Sequence, residues 1–392
     1  MRNAVAFNNI DDSFNAGKSL IQEVLEQLKK STPDILLLFT TVGHDIPMLL
    51  NGIRSIVGDV PICGCTGAGV ISSFDTSEAV FSACLMGLKA DQIRFDPFIV
   101  FGLSKDSSQV GKKMGNIIKS LQIPVEDNKL LFLFPDSMTT NAEKLLQGII
   151  TSLPYPLDIL GAAAANDFNY SHTYQFCGNT VLEDSVAGLL ISGNFRYHYQ
   201  ISHGQEPFGP LRTVTKAIDN RLLEIDDRPA LDVLSSSIGL EKWEDFAQAV
   251  MTSAIGLSFP GNSYSEDLII RGMINFDVKE KSVSFSVPIP EGSTFYMTLR
   301  NREKILQASQ KMGSRLHSQL KTPEEAAFFY FNCAGRGSYL FGESEPDVHA
   351  VMGGLGCNQS MIGLFSFGEF GPVHEKNHFH NATGIIVGIE ER

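Results

Sequence analysis

The feature that most constrains this chain is a pattern that comes three times: an apolar strand, an amphipathic helix, and a second short strand that stops at small residues. In the first copy, Ile35 to Thr40 precedes a helix over 45–57 with Ile46, Leu49, Leu50 and Ile53 on one face. Its second strand, Val60 to Cys65, runs into Thr66-Gly67-Ala68-Gly69. In the second copy, Lys129 to Phe134, a helix over 140–153 and Leu157 to Ala162 lead to Ala163-Ala164-Ala165-Asn166-Asp167. The third has Ala326 to Phe331, a helix over 346–353 and Met361 to Phe367. Each copy closes with a further strand, at 79–86, 186–191 and 384–389, the second after an extra hairpin over 174–182. Apolar runs this short, bounded by glycine and polar residues, are buried strands. The pattern predicts an α/β protein of mixed sheets flanked by helices, built from three β-α-β-β-like repeats.

A different region separates the second and third copies. Gln205 to Arg212 and Asp226-Asp227-Arg228-Pro229 are polar and rich in breakers, and an amphipathic helix follows near 230–236. Hairpin strands at 269–274 and 283–287, a turn at Pro290-Glu291-Gly292 and a long helix over 302–320 complete it. At 392 residues the chain exceeds what one core usually sustains, which predicts two domains. We place them at 1–212, with two repeat units, and 213–392, with the inserted hairpin and helix plus the third unit.

Composition narrows the function. With 43% hydrophobic and 19% charged residues, the chain carries enough apolar side chains for a large core. Against 44 Asp and Glu it has 31 Lys and Arg, a net charge of -13, and no clustered cations to neutralise phosphates, so nucleic acid is not an expected partner. The six cysteines lack the regular spacing of a disulfide framework and read as reduced thiols. The first residues place Asn and Asp where a signal peptide would be apolar, and no apolar run is long enough to cross a bilayer. A cytoplasmic protein with no membrane partner is expected.

Chemistry concentrates at the strand ends. Glycines around Gly64, Cys65 and Thr66 allow backbone N–H groups to face an anion, although a plain turn explains them equally. Asn332-Cys333-Ala334-Gly335-Arg336-Gly337 sets an arginine between glycines, a planar fork for a carboxylate. Glu369, just past Phe367, offers an acceptor for an ammonium group. A structural Arg336–Glu369 ion pair is the alternative. Cys333 with His380 as base, oriented by Asn381 or Glu369, would suit a nucleophilic enzyme, whereas a cysteine after four aromatic residues is more simply core. His374, His378 and His380 do not follow a familiar metal spacing, and no metal or cofactor is expected.

Three of these segments, Asn332 to Gly337, Ile362-Gly363-Leu364-Phe365-Ser366-Phe367-Gly368-Glu369 and His380-Asn381-Ala382-Thr383, resemble in order the motifs of the carboxy-terminal half of the FIST proteins. Ile225 to Leu234, Ile270-Arg271 and Ile289-Pro290-Glu291-Gly292 resemble further segments of that half, and Ile62 to Gly69 resembles a glycine-rich segment of its amino-terminal half. One position departs: Val70 stands where the family usually has Glu. The resemblance runs from about Asp34 to Thr383 and implies an intracellular sensory module for signal transduction, with amino acids or related small acids as ligands and a separate signalling protein as output. The expected ligand site joins Gly64, Cys65, Thr66, Asn166, Asp167, Asn332, Cys333, Arg336, Gly337, Phe367, Glu369, His380 and Asn381 in a cleft of strand-end loops. A cysteine-dependent hydrolase or transferase using Cys333 and His380, and a protein-interaction scaffold, are the alternatives.

Overall fold

The computed structural model describes residues 1–240, 252–258, 268–356 and 359–392; Cys357 lies outside them. They form two compact units. One is made of Met1–Ile201, Ser309–Phe379 and Gly384–Arg392, the other of Ser202–Ala308 with His380–Thr383. The units therefore do not follow chain order as the 1–212 and 213–392 division does.

The first unit holds the repeats, and each is longer than the sequence pattern suggests. Repeat one runs β1 (Arg2–Asn8), α1 (Ser13–Gln27), β2 (Ile35–Thr40), α2 (Ile46–Val57), β3 (Ile62–Thr66), a hairpin of β4 (Gly69–Ser72) and β5 (Thr76–Ser77), then β6 (Ala83–Lys89). Asp12 and Asp45 cap the two helices by accepting from Asn15 N and Met48 N. Repeat two has the same order: β7 (Ile93–Phe101), α3 (Leu103–Ser120), β8 (Asn128–Pro135), α4 (Ala142–Ser152), β9 (Asp158–Ala162), the hairpin β10 (Gln175–Cys177) and β11 (Thr180–Leu182), and β12 (Ser185–Gly193).

Repeat three begins at β13 (Phe195–Ser202) and is interrupted by the second unit: β14 (Glu206–Ile218), β15 (Arg221–Ile225), β16 (Arg228–Pro229), α5 (Ala230–Ser237), β17 (Ser253–Leu257), β18 (Ile269–Arg271), β19 (Met273–Asp277), β20 (Ser282–Phe285) and β21 (Thr294–Leu299). These strands form one antiparallel sheet around a core that includes Val214, Leu231, Ile255, Phe285 and Phe295. The repeat resumes with α6 (Arg302–Gln319), β22 (Ala327–Cys333), α7 (Ser338–Phe341), α8 (Glu345–Leu355), β23 (Met361–Ser366), the hairpin β24 (Glu369–Val373) and β25 (Lys376–His380), and β26 (Gly384–Glu391).

Sheet order shows that the repeats share one topology: β1-β6-β2-β3, β7-β12-β8-β9 and β13-β26-β22-β23. In each, the central strand is parallel to the strand after its crossover helix and antiparallel to the closing strand. Register repeats too. Leu38, Leu133 and Tyr330 face Gly64, Gly161 and Gly363 across the parallel pairs, and the next residues, Phe39, Phe134 and Phe331, occupy equivalent positions. Those three rings meet in one core, with centroids 5.3 Å apart for Phe39–Phe134 and 5.8 Å for Phe134–Phe331, both edge to face.

The hairpins do not stay with their own repeats. β4–β5 extends the sheet of repeat three beside β23, β10–β11 extends that of repeat one beside β3, and β24–β25 extends that of repeat two beside β9. The exchange is cyclic, and a ring of backbone hydrogen bonds marks where the chains cross. Ala68 N donates to Phe365 O (2.8 Å), Ala165 N to Thr66 O (2.9 Å) and Phe367 N to Ala163 O (3.2 Å). Small residues at these crossings let three backbones approach, which explains the glycine and alanine runs read from sequence.

Outside the sheets, each repeat packs its two helices through facing glycines. A Cβ on Gly17 would stand 2.1 Å from Leu49 O, and one on Gly52 2.1 Å from Phe14 O. Gly111 and Gly148 do the same for α3 and α4, and Gly313 and Gly354 for α6 and α8. Among the described residues no helix is long and apolar enough to cross a membrane.

Adjacent glycines on α8 test this packing. A Cβ on Gly354 would meet Gln310 O at 2.1 Å, whereas one on Gly353 meets nothing within 4 Å. Gly354→Ala should lose about 1–3 kcal/mol through overpacking, and Gly353→Ala should gain about 0.5–1 kcal/mol from helix propensity. Chemical denaturation of the two variants checks the opposite signs.

Candidate functional site

Parallel strands in α/β folds present ligands at their carboxyl ends. The crossings bring such ends together in the first unit, and there the residues singled out from sequence divide into supports and exposed groups.

Most are supports. Gly64 is a glycine because its Cβ would lie 1.8 Å from Leu38 O, a requirement of β3 packing on β2. The N–H groups after it do not face an anion: Thr66 N donates to Tyr174 O, Gly67 N to Thr40 O and Ala68 N to Phe365 O. Cys65 is buried in the core, where burial pushes its thiol well up. Val70 is fully buried in that same core, so the position that carries Glu elsewhere is apolar here. The fully buried Asn166 shapes the loop after β9, its Nδ2 donating to His172 O (3.1 Å) and its Oδ1 accepting from Tyr170 N (3.3 Å). Thr66 Oγ1 secures the loop's return by accepting from Tyr174 N (3.0 Å).

Arg336 has a structural partner of its own. Its guanidinium is fully buried, and Asp347 of α8 takes it in a two-pronged pair, Nη2 to Oδ1 at 3.0 Å and Nε to Oδ2 at 3.2 Å. Tyr330 OH (2.7 Å) and Asn332 Nδ2 (2.8 Å) also donate to Asp347 Oδ2, while Arg336 Nη2 donates to Ser309 Oγ of α6 (2.7 Å). Burial opposes the arginine's charge, but Asp347 outweighs it and raises the guanidinium above its ordinary range. Burial, reinforced by Asp347, pushes the Tyr330 phenol well up. Glu369, equally buried, accepts from Ser366 Oγ (2.8 Å). Glu78 lies against Gly337: a Cβ there would stand 2.1 Å from Glu78 Oε1, which accepts from Ser338 N at 2.8 Å.

His380 and Asn381 belong to the second unit, whereas Cys333 belongs to the first. Asn381 Oδ1 accepts from Ser286 Oγ (2.6 Å) and Gly272 N (3.3 Å). Among the described residues no group of three or more His, Cys, Asp or Glu side chains is placed to hold a metal ion.

The exposed part is aromatic. Half-buried Phe367 lies against Phe168 (centroids 5.4 Å apart) and stacks on Tyr170 (5.2 Å), and Phe168 stacks on Tyr339 of α7 (5.8 Å). Tyr170 is 63% exposed and Tyr339 44%. Burial, then Tyr339 and Cys333, pushes the Tyr170 phenol up, which sets the half-buried thiol beside these rings. Phe168 (φ 64°) and Tyr170 (φ 54°) hold left-handed backbone, a conformation that costs a bulky residue roughly 1–2 kcal/mol. Exposed Asp167 precedes them in the chain. Sequence reasoning missed Asp347, Glu78, Phe168, Tyr170 and Tyr339. The signals were an acid on the apolar stripe Asp347, Val351, Leu355, and aromatic residues set in the polar run Asn166 to His172.

Cavities lie elsewhere. One of about 430 Å³ sits between α4 and the β24–β25 hairpin, and one of about 440 Å³ between α8 and the β4–β5 hairpin. These positions are equivalent in the repeat, so both are notches left where an exchanged hairpin meets a neighbour's helix.

Comparison with known proteins agrees with the motifs. Residues 34–228 match the FIST N domain and residues 230–372 the FIST C domain. The chain belongs to the FIST family. FIST domains are associated with sensory modules of signal transduction. The chain is 23% identical to the uncharacterized protein Mb0898c of Mycobacterium bovis, over 99% of this chain and 98% of the relative. It is 23% identical to the uncharacterized protein MJ1623 of Methanocaldococcus jannaschii, over 94% of this chain and 77% of that relative. The FIST N match runs from just before β2, through the rest of repeat one and all of repeat two, and ends within the second unit, and the FIST C match starts at α5 and ends in β24.

The buried pair can be weighed by a double-mutant cycle. Asp347→Asn leaves Arg336 buried without its counter-ion and should cost about 3–5 kcal/mol. Asp347→Leu combined with Arg336→Met should recover most of that loss in chemical denaturation, because neither charge remains to be desolvated.

Proposed function

We propose that this FIST protein is a cytoplasmic sensor that binds a small ligand at the carboxyl-end face of its first unit and signals through a separate protein. The observation that carries the reading is the ring cluster of Phe168, Tyr170, Tyr339 and Phe367, in which both tyrosines are exposed and Phe168 and Tyr170 hold left-handed backbone. Contiguous exposed aromatic surface marks an interaction site, and strain of this kind persists where the surroundings fix it, often at functional positions. Amino acids and related small acids remain the class that the family implies. Cys333 and Phe367 belong to the contact surface, and Asn166, Asn332, Arg336 and Gly337 hold it in shape.

Thermal-shift screening of amino acids, small acids and small amines tests the reading. Hits should raise the melting temperature of the native protein and lose that effect in Tyr170→Ala and in Tyr339→Ala, both folded. Hits kept by both variants would put the ligand elsewhere.

A further inference from the structure

We propose that the ligand is held by a positively charged, ammonium-type nitrogen lying on the exposed aromatic surface of Tyr170, which stacks on Phe367, and not by a carboxylate on Arg336. The proposal rests on the aromatic face being the ligand site and adds the charge that it selects. Motif reading assigns the arginine to an anion, yet its Nε and Nη2 edge is closed by Asp347, Tyr330 and Asn332 crowd the same carboxylate, and the guanidinium is fully buried. On that edge a ligand carboxylate would have to displace Asp347.

What the face presents outward is of the opposite kind. Aromatic rings carry negative charge density on their faces and attract cations within about 6 Å of the centroid. The rings run as a chain, Tyr339 on Phe168, Phe168 on Phe367, Phe367 on Tyr170, with tilts of 21°, 52° and 28°. The tilt in the middle turns the two outer pairs toward different directions, giving a faceted surface. Two carboxylates stand close to these rings in the chain or by contact: exposed Asp167 precedes Phe168, and Glu78 accepts from both the N–H and the hydroxyl of Ser338, next to Tyr339. Burial and its neighbours push the Tyr170 phenol up, so the ring remains neutral and π-rich at neutral pH. Amino acids satisfy this site through their ammonium end, as do simple amines.

The test uses the whole chain with choline and phenethylammonium as probes, each against a neutral isostere, 3,3-dimethylbutan-1-ol and 2-phenylethanol. Proton NMR of the probe reads binding. A bound ammonium should show upfield ring-current shifts on its carbon-bound protons, saturating at least tenfold below the concentration that its isostere needs. Tyr170→Ala should lose the shift and Tyr170→Phe should keep it. Isosteres that bind as well as the ammonium probes, or ammonium binding that survives Tyr170→Ala, would overturn the proposal. If neither ammonium binds while a neutral or acidic hit still depends on Tyr170 and Tyr339, the charge assignment falls and the site stands. If no ligand depends on those rings, both fall.

Discussion

The structure depends on the backbone ring at the crossings, where Ala68, Ala165 and Phe367 each donate to a strand end of another repeat. Because every hairpin completes a neighbour's sheet, a single repeat leaves one sheet short and one hairpin without a partner. Edge strands exposed in that way are a liability, and the cyclic exchange covers one edge of each third strand. It also forces the three parallel-strand ends to one place. The Phe39, Phe134 and Phe331 rings then fill the space between sheets, and the facing glycines let each helix pair lie close on its sheet's outer side.

Chemical differences set the third repeat apart from the other two. After β2 and β8 the loops are short or polar, but after β22 the chain makes a longer excursion through Ala334–Arg336 and Ser338–Phe341 before α8. That excursion is held from below by the Arg336–Asp347 pair and from the side by Glu78. A buried pair of this sort is a poor source of net stability, since desolvation offsets most of its Coulomb energy. Its effect is geometric: Asp347 ties β22, α6 and α8 to one carboxylate, and Tyr339 is presented from a loop that cannot shift without breaking it. The arginine that looks like a ligand contact in the motif thus anchors the loop that carries Tyr339.

The predicted strands and helices at 35–66, 128–162 and 327–366 were legible because their apolar spacing is strong and their ends are marked by Gly, Pro or a capping Asp. The repeat's first strand and helix were not recognised in its second copy. β7 carries Pro97, and α3 is rich in Ser and Lys, so neither shows a clean period. In the third copy the second unit stands between β13 and β22, which hides the continuity. Hairpin exchange had no local signal either, since β4 has only four residues and its partner β23 lies almost 300 residues away. The candidate site was half legible: motif residues pointed to the strand-end loops that the crossings bring together, but a partner such as Asp347 is fixed by packing between helices and not by spacing along the motif.

Native-state hydrogen exchange tests the central claim most directly, that the exchanged hairpins weld the three repeats into one unit. The slowest amides of β2, β8 and β22 should open with the same free energy and the same denaturant dependence. One central strand that opens well below the other two, with a smaller dependence, would show a repeat that unfolds on its own and would contradict the account.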